Sequence, residues 1–244
     1  MWWGGRSGRA PRGPLLPGRW RVPAAMLALA CAGITALLGW IYAGQTRAGP
    51  LDSAAGSWLT AALGGHGAAL GVVARLGSAP WVVAMTGALA LGCAVARRWN
   101  GAVMAGLGVG AAGGLTEWVL KPVVGRTLQG DLCYPSGHTT GAFAVATACV
   151  VLLAAPPGRR VPPAARAVLA LAALAGAAAV AVSVVALGEH YLTDAAGGAA
   201  LSVAVVLAVT LGIDLLPGRL RGRKADGRAR DGRRGPRLAA GQGR

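Results

Sequence analysis

The chain has 244 residues, 55% of them hydrophobic and 13% charged, with a mean hydropathy of +0.54 and a formal charge of +16. A soluble domain carries about 25% charged residues, so this composition excludes an ordinary globular protein and points to one embedded in a membrane. The positive charge could suit nucleic acid, but the C-terminal tail, which holds ten of the 24 basic residues, has no interleaved aromatics and no binding module, so no nucleic-acid partner is expected.

Residues 1–23 form a basic N-terminal region. The apolar run that follows is about 20 residues long, more than the 7–15 of a signal peptide, and reads as an uncleaved anchor. Because roughly 20 apolar residues cross a bilayer as a helix, six spans are expected, at 24–44, 79–96, 101–120, 138–155, 164–187 and 195–216. The apolar stretch 54–76 is broken by Gly64, Gly65, His66 and Gly67. That break predicts an interfacial helix or a helical hairpin outside the bundle, with His66 a solvated loop residue. Residues 217–244, rich in Gly and Arg, read as a disordered basic tail. The domains are therefore an N-terminal tail, an all-α six-helix membrane domain over 24–216, and a C-terminal tail.

The positive-inside rule orients this layout. With the N-terminus in the cytoplasm, 20 of the 24 basic residues fall inside; only Arg47, Arg75, Lys121 and Arg126 fall outside. Both ends are then cytoplasmic, and loops 121–137 and 188–194 face outward. Cys31, Cys93 and Cys149 fall in apolar spans and Cys133 in an exposed loop, without zinc-type spacing. Residues 108–113, Gly-Val-Gly-Ala-Ala-Gly, match a dinucleotide fingerprint by spacing only, since no strand precedes them. Gly106, Gly110 and Gly114 recur every four residues and predict a smooth face for helix contact.

Two of the three histidines, His138 and His190, lie in the outward loops. Ionisable groups at a membrane boundary usually mark function. Lys121 and Arg126 supply positive charge beside them, and Ser136 and Gly137 offer a hydroxyl and backbone N–H groups, a set that suits a phosphate. Ser136 also reads as a helix N-cap, Lys121 as a partner of Glu117 one turn earlier, and Tyr134 and Tyr191 as interfacial anchors. Asp194 follows His190 by four residues; on a helix the two share a face, and the carboxylate could fix the imidazole tautomer.

These blocks resemble the type 2 phosphatidic acid phosphatase (PAP2) superfamily of membrane lipid phosphatases, whose pattern reads K-x6-R-P, P-S-G-H and S-R-x5-H-x3-D. Pro135-Ser136-Gly137-His138 is intact, as is the H-x3-D of His190 and Asp194 after Ser183. Lys121 stands where the first block begins. Leu128 and Gln129 replace that block's Arg-Pro, Val184 replaces the other arginine, and Arg126 lies two residues before the expected place. The resemblance covers roughly 79–216.

It implies a PAP2/haloperoxidase-like helical core in a multi-pass protein of the cell membrane; the arginine-for-lysine bias and high alanine and glycine content point to a GC-rich bacterial genome. It also implies a metal-independent hydrolase without cofactors, acting on a lipid phosphate at the extracytoplasmic face. His190 would form a phosphohistidine, Asp194 would orient it, and His138 would protonate the leaving oxygen. Lys121, Arg126, Ser136 and Gly137 would hold the phosphoryl oxygens. A lipid phosphotransferase and a non-catalytic membrane scaffold on the same fold are the alternatives.

Overall fold

The computed structural model describes residues 14–154 and 161–233, with side chains to residue 215. Nine α-helices, α1 to α9, occur among the described residues: α1 (Gly18–Ile41), α2 (Pro50–Leu63), α3 (Gly67–Arg75), α4 (Ala79–Val95), α5 (Trp99–Gly114), α6 (Lys121–Val124), α7 (Gly137–Ala154), α8 (Pro163–Ala186) and α9 (Leu192–Arg233). A 3₁₀ turn, Gly64–His66, joins α2 to α3, and a π-helical turn, Leu115–Leu120, joins α5 to α6. Pro122 follows that turn. Proline has no N–H to continue the i→i−4 ladder and its ring crowds the previous turn; widening to π geometry relieves this, and such turns are frequent at functional sites.

By length and hydropathy six helical segments qualify as spans, Pro50–Arg75 among them, whereas α4, at 17 residues, is shorter than these. Packing reverses that pair. Asp52 at the start of α2 bonds Arg126, and Gly77 after α3 lies against His138. Arg126 in turn bonds Asp194, beside His190, whose ring centroid is 6.3 Å from that of His138. Both ends of the 50–75 segment therefore sit at one end of the bundle. A crossing helix would separate them by about 30 Å. The glycine break at 64–67 lets the segment fold back as α2 and α3, with His66 exposed.

By contrast, α4 runs along α7 from Val82, beside Gly141, to Cys93, beside Gly101 and Leu152. At 1.5 Å per residue it covers about 26 Å, close to the hydrocarbon thickness. The six-span bundle is thus α1, α4, α5 with its π turn, α7, α8 and α9. Its core joins Met104, Val109, Ala144, Ala148, Val151 and Val206 across α5, α7 and α9. Leu29, Trp40, Val83, Leu91, Val168 and Leu171 face outward uncovered, as lipid contact requires and water does not permit on this scale.

α1 and α9 pack antiparallel. Thr35 meets Gly197 near one end, and the Leu15 and Leu16 N–H groups donate to the Asp214 carboxylate at the other. The starts of α1 and α8 and the end of α7 therefore lie opposite the histidines; Arg98 and Arg166 bond the last carbonyls of α7 there. Helix α9 continues to Arg233, past the point where the composition predicts a disordered tail. Residues 1–13, 155–160 and 234–244 lie outside the described residues, with Arg159, Arg160 and the ends of both tails.

Candidate active site

Three local structures bring the expected residues together. The first is the chain after α6. Gly125 adopts a left-handed φ of 63° that ends the helix, a conformation glycine takes without a Cβ penalty. A short hairpin follows, β1 (Thr127–Leu128) paired with β2 (Asp131–Leu132), turned by Gln129 and Gly130, both at positive φ. Two positive φ values suit the right-handed twist of a two-residue hairpin. Gln-Gly is a weaker turn signal than Asn-Gly, which is why the sequence reads only as a loop here.

The second is the start of α7. The Ser136 hydroxyl accepts the Thr139 N–H at 3.3 Å, so Ser136 is the N-cap, and its own N–H donates to the Asp194 carbonyl at 3.0 Å. Ser136 is fully buried. The N–H groups of Gly137 and His138 have no partner among the described residues, which leaves them as donors at the positive end of α7.

The third is the reversal between α8 and α9. Gly188, at φ 72°, sits one residue past the cap; its N–H donates to the Val185 carbonyl and that of Glu189 to Val184. This is the Schellman pattern, and it turns His190 back toward α7. Asp194 is the third residue of α9, and its Oδ2 accepts the Tyr191 N–H at 3.1 Å, the reciprocal half of a capping box. His190 therefore precedes the helix rather than sharing a helical face with Asp194. Its Nδ1 stands 3.8 Å from Asp194 Oδ2, beyond hydrogen-bond length, and has no other partner.

The two imidazoles lie edge to face, 6.3 Å between centroids and 60° between planes. They open onto a cavity of about 1120 Å³. Lys121, Gly137, His138 and His190 line it; Ser136, Arg126 and Asp194 do not. Lys121 Nζ bonds Glu117 Oε2 at 2.8 Å, as the one-turn spacing predicts. Glu117, Asp131 and Glu189 also face the cavity, and Lys121 is the one cation among the described lining residues. Leu128 lines the wall without charge, and Val184 is fully buried among Leu59, Ala74 and Ala195. Neither position supplies a cation to the cavity.

Arg126 is where the structure departs most from the expected ligand set. Its side chain is fully buried. Nη1 donates to Thr193 Oγ1 at 2.7 Å and Asp194 Oδ1 at 2.6 Å, and Nη2 to Asp52 Oδ2 at 2.6 Å. Tyr42 and Tyr191 cover the guanidinium at 4.2 and 4.3 Å. Burial acts to lower the Arg126 pKa, but bonds to Asp52 and Asp194 outweigh it and the net shift is upward. The guanidinium is spent on two carboxylates and has no face toward the cavity.

Tyr191 thus stacks on Arg126. Tyr134 is fully buried and donates to the Thr35 carbonyl at 2.6 Å, so it is not the interfacial anchor its position suggests. Cys133, expected on an exposed loop, is buried, and burial pushes its thiol up to about 12. Asp52, Thr193 and Tyr42 belong to the site and were not legible beforehand. A lone acid in an apolar stretch is a signal, but it names no partner.

From the histidines the cavity extends between α4 and α5, past Val83, Gly87 and Ala90 on one wall and Gly106, Gly110 and Gly113 on the other. A Cβ built on Gly106, Gly110 or Gly113 would meet nothing within 4 Å, and one on Gly114 would meet only Trp118. The glycine stripe expected to seat a neighbouring helix instead leaves a groove open. Gly108, on the opposite face, is the one packed against Val206.

A model of the PAP2 superfamily matches residues 116–215. Among solved structures, the chain is similar to the first transmembrane PAP2 type phosphatidylglycerolphosphate phosphatase from Bacillus subtilis. The identity is 21% and the TM-score 0.61, with 77% of this chain and 95% of that one covered. No curated protein matches the sequence. The matched segment begins at the α5 π turn and ends with the apolar part of α9, taking in every sequence-predicted site residue; over it the chain is similar to the PAP2 superfamily, and its fold is that of the solved phosphatase.

Proposed function

We propose that the protein is a membrane lipid phosphatase that works through a phosphohistidine, without a metal or other cofactor. The observation that carries this reading is the pair of imidazoles at one cavity, 6.3 Å apart, with a carboxylate behind one of them. With Nδ1 turned to Asp194, Nε2 of His190 is the nitrogen left to attack phosphorus. The N–P bond forms as the ester P–O bond breaks, and the leaving oxygen takes a proton from His138. Water then attacks phosphorus, His138 takes its proton, and the N–P bond breaks to release phosphate. Lys121 and the N–H groups of Gly137 and His138 stabilise the phosphoryl oxygens; Ser136 shapes the helix start rather than touching substrate, and Arg126 acts from behind Asp194.

Two further features favour a lipid. The groove between α4 and α5 is apolar and runs from the histidines along the span, where a hydrocarbon chain can lie while its phosphate meets the rings. The site also sits opposite Arg98 and Arg166, which under the positive-inside rule supports a reading with the site on the extracytoplasmic face of the cell membrane and both ends in the cytoplasm. The missing cations at Leu128 and Val184 favour a second reading, a non-catalytic membrane scaffold.

Detergent-purified protein incubated with phosphatidic acid, phosphatidylglycerophosphate and polyprenyl diphosphate in EDTA separates the two. Phosphate release that vanadate inhibits and that His190→Ala abolishes, with acid-labile, base-stable label on the wild-type protein, supports the enzyme. Silence across the panel supports the scaffold, and undiminished release by His190→Ala removes the nucleophile assignment.

A further inference from the structure

Asp52 lies outside every motif in the sequence and outside the family match, 142 residues before Asp194, yet the two carboxylates grip one guanidinium. We infer that Asp52 is a positioning residue for His190, acting through Arg126 and Asp194 from the helix segment that lies against the site end of the bundle. The inference rests on the reading of His190 as nucleophile.

The geometry is a relay of fixed contacts. Asp194 presents Oδ2 to His190, and the plane of that carboxylate is set by what holds Oδ1, which is Arg126 Nη1 at 2.6 Å. Arg126 is held in place, because Tyr42 and Tyr191 pack against its guanidinium at 4.2 and 4.3 Å and its second nitrogen is fixed by Asp52 at 2.6 Å. Asp52 has a second hold on the same unit. Its Oδ1 accepts the Thr193 N–H at 2.9 Å and its carboxylate accepts the Thr193 hydroxyl at 3.0 Å. Thr193 is the second residue of α9, so a carboxylate from another helix caps the helix that carries Asp194, where an anion complements the dipole. Asp52, Arg126 and Asp194 are all fully buried.

Charge gives the relay its chemical effect. Two carboxylates around one guanidinium leave one net negative charge next to His190. That charge favours the positive imidazole that forms as nitrogen bonds to phosphorus. It also keeps Arg126 from drawing Asp194 wholly to itself, because the cation is shared. Glycine 49, Pro50 at N1 and Asp52 in the first turn make α2 a well-formed helix start, so the carboxylate arrives on a rigid element.

The test compares full-length wild type, Asp52→Asn, Asp194→Asn and the double variant on dioctanoyl phosphatidic acid in detergent micelles, with active sites counted by phosphohistidine label. Asp52→Asn should lower kcat per labelled site by about 10- to 100-fold, the scale of a misplaced reacting group, with KM within about threefold. The double variant should fall no further than Asp194→Asn alone, since residues acting as a unit are not additive. An unchanged kcat per site, or losses that multiply in the double variant, overturns the proposal.

Asp52→Glu retains the charge and carries the comparison should Asp52→Asn not fold. A kcat several-fold down at constant KM supports the relay, and a wild-type kcat overturns it. Absence of label on wild type, or full turnover by His190→Ala, sinks the nucleophile reading instead, so the two failures are distinct.

Discussion

Gly110→Leu offers the sharpest test of the groove. A Cβ at this position meets nothing within 4 Å, so leucine enters the cavity without displacing protein. Leucine is also a better helix former than glycine, by a little less than the about 0.8–1.0 kcal/mol that separates glycine from alanine, and the fold should lose nothing. The position lies eleven residues before Lys121, about 16 Å along the helix axis from the phosphate end. A long hydrocarbon chain reaches that far and a short one does not. A leucine side chain has four carbons and excludes about four methylenes of substrate. At about 0.8 kcal/mol each they total about 3 kcal/mol, on the order of a 100-fold loss in kcat/KM.

The assay is phosphate release from dipalmitoyl and dihexanoyl phosphatidic acid, with thermal unfolding followed in parallel. Gly110→Leu should lose the long-chain substrate about 100-fold, keep the short-chain one, and melt no lower than wild type. Gly108→Leu is the control, because its Cβ would already be in contact with Val206 at 3.4 Å and the longer leucine side chain would overpack that face, so it should melt lower. Equal losses on both substrates, or a lowered melting temperature for Gly110→Leu, would refute the groove and restore the stripe to helix packing.

Other expectations follow from single contacts. Arg126→Met leaves Asp52 and Asp194 buried without their cation, and breaking a buried pair in this way costs about 3–5 kcal/mol; denaturant unfolding in detergent reads it directly. Gly197→Ala would place a methyl group 2.5 Å from the Tyr134 hydroxyl, and such overpacking costs about 1–3 kcal/mol, visible as a lower melting temperature. His138→Ala should cut turnover by about 10²–10⁴-fold and slow dephosphorylation of the labelled intermediate, and a near-normal rate would remove His138 from proton transfer.

Hydropathy and motif alone determined the spans, the break at 64–67, the pairing of Lys121 with Glu117 and the convergence of His138 with His190. These depend on local periodicity, on helix spacing and on which side of a bilayer a loop emerges, all of which are properties of neighbouring residues. The tertiary structure decided the partners. Arg126 appears in the sequence as a cation near a phosphate site, yet the fold spends it on two carboxylates, one of them from a helix that no spacing links to it. The stripe of Gly106 and Gly110 has the same period whether a helix or empty space faces it, and only the position of α4 settles which. Asp194 keeps its four-residue distance from His190 either way, but the Schellman turn at Gly188 removes His190 from the helix and makes Asp194 a cap. Periodicity specifies which residues share a face; what that face meets is fixed by helices brought together from far along the chain.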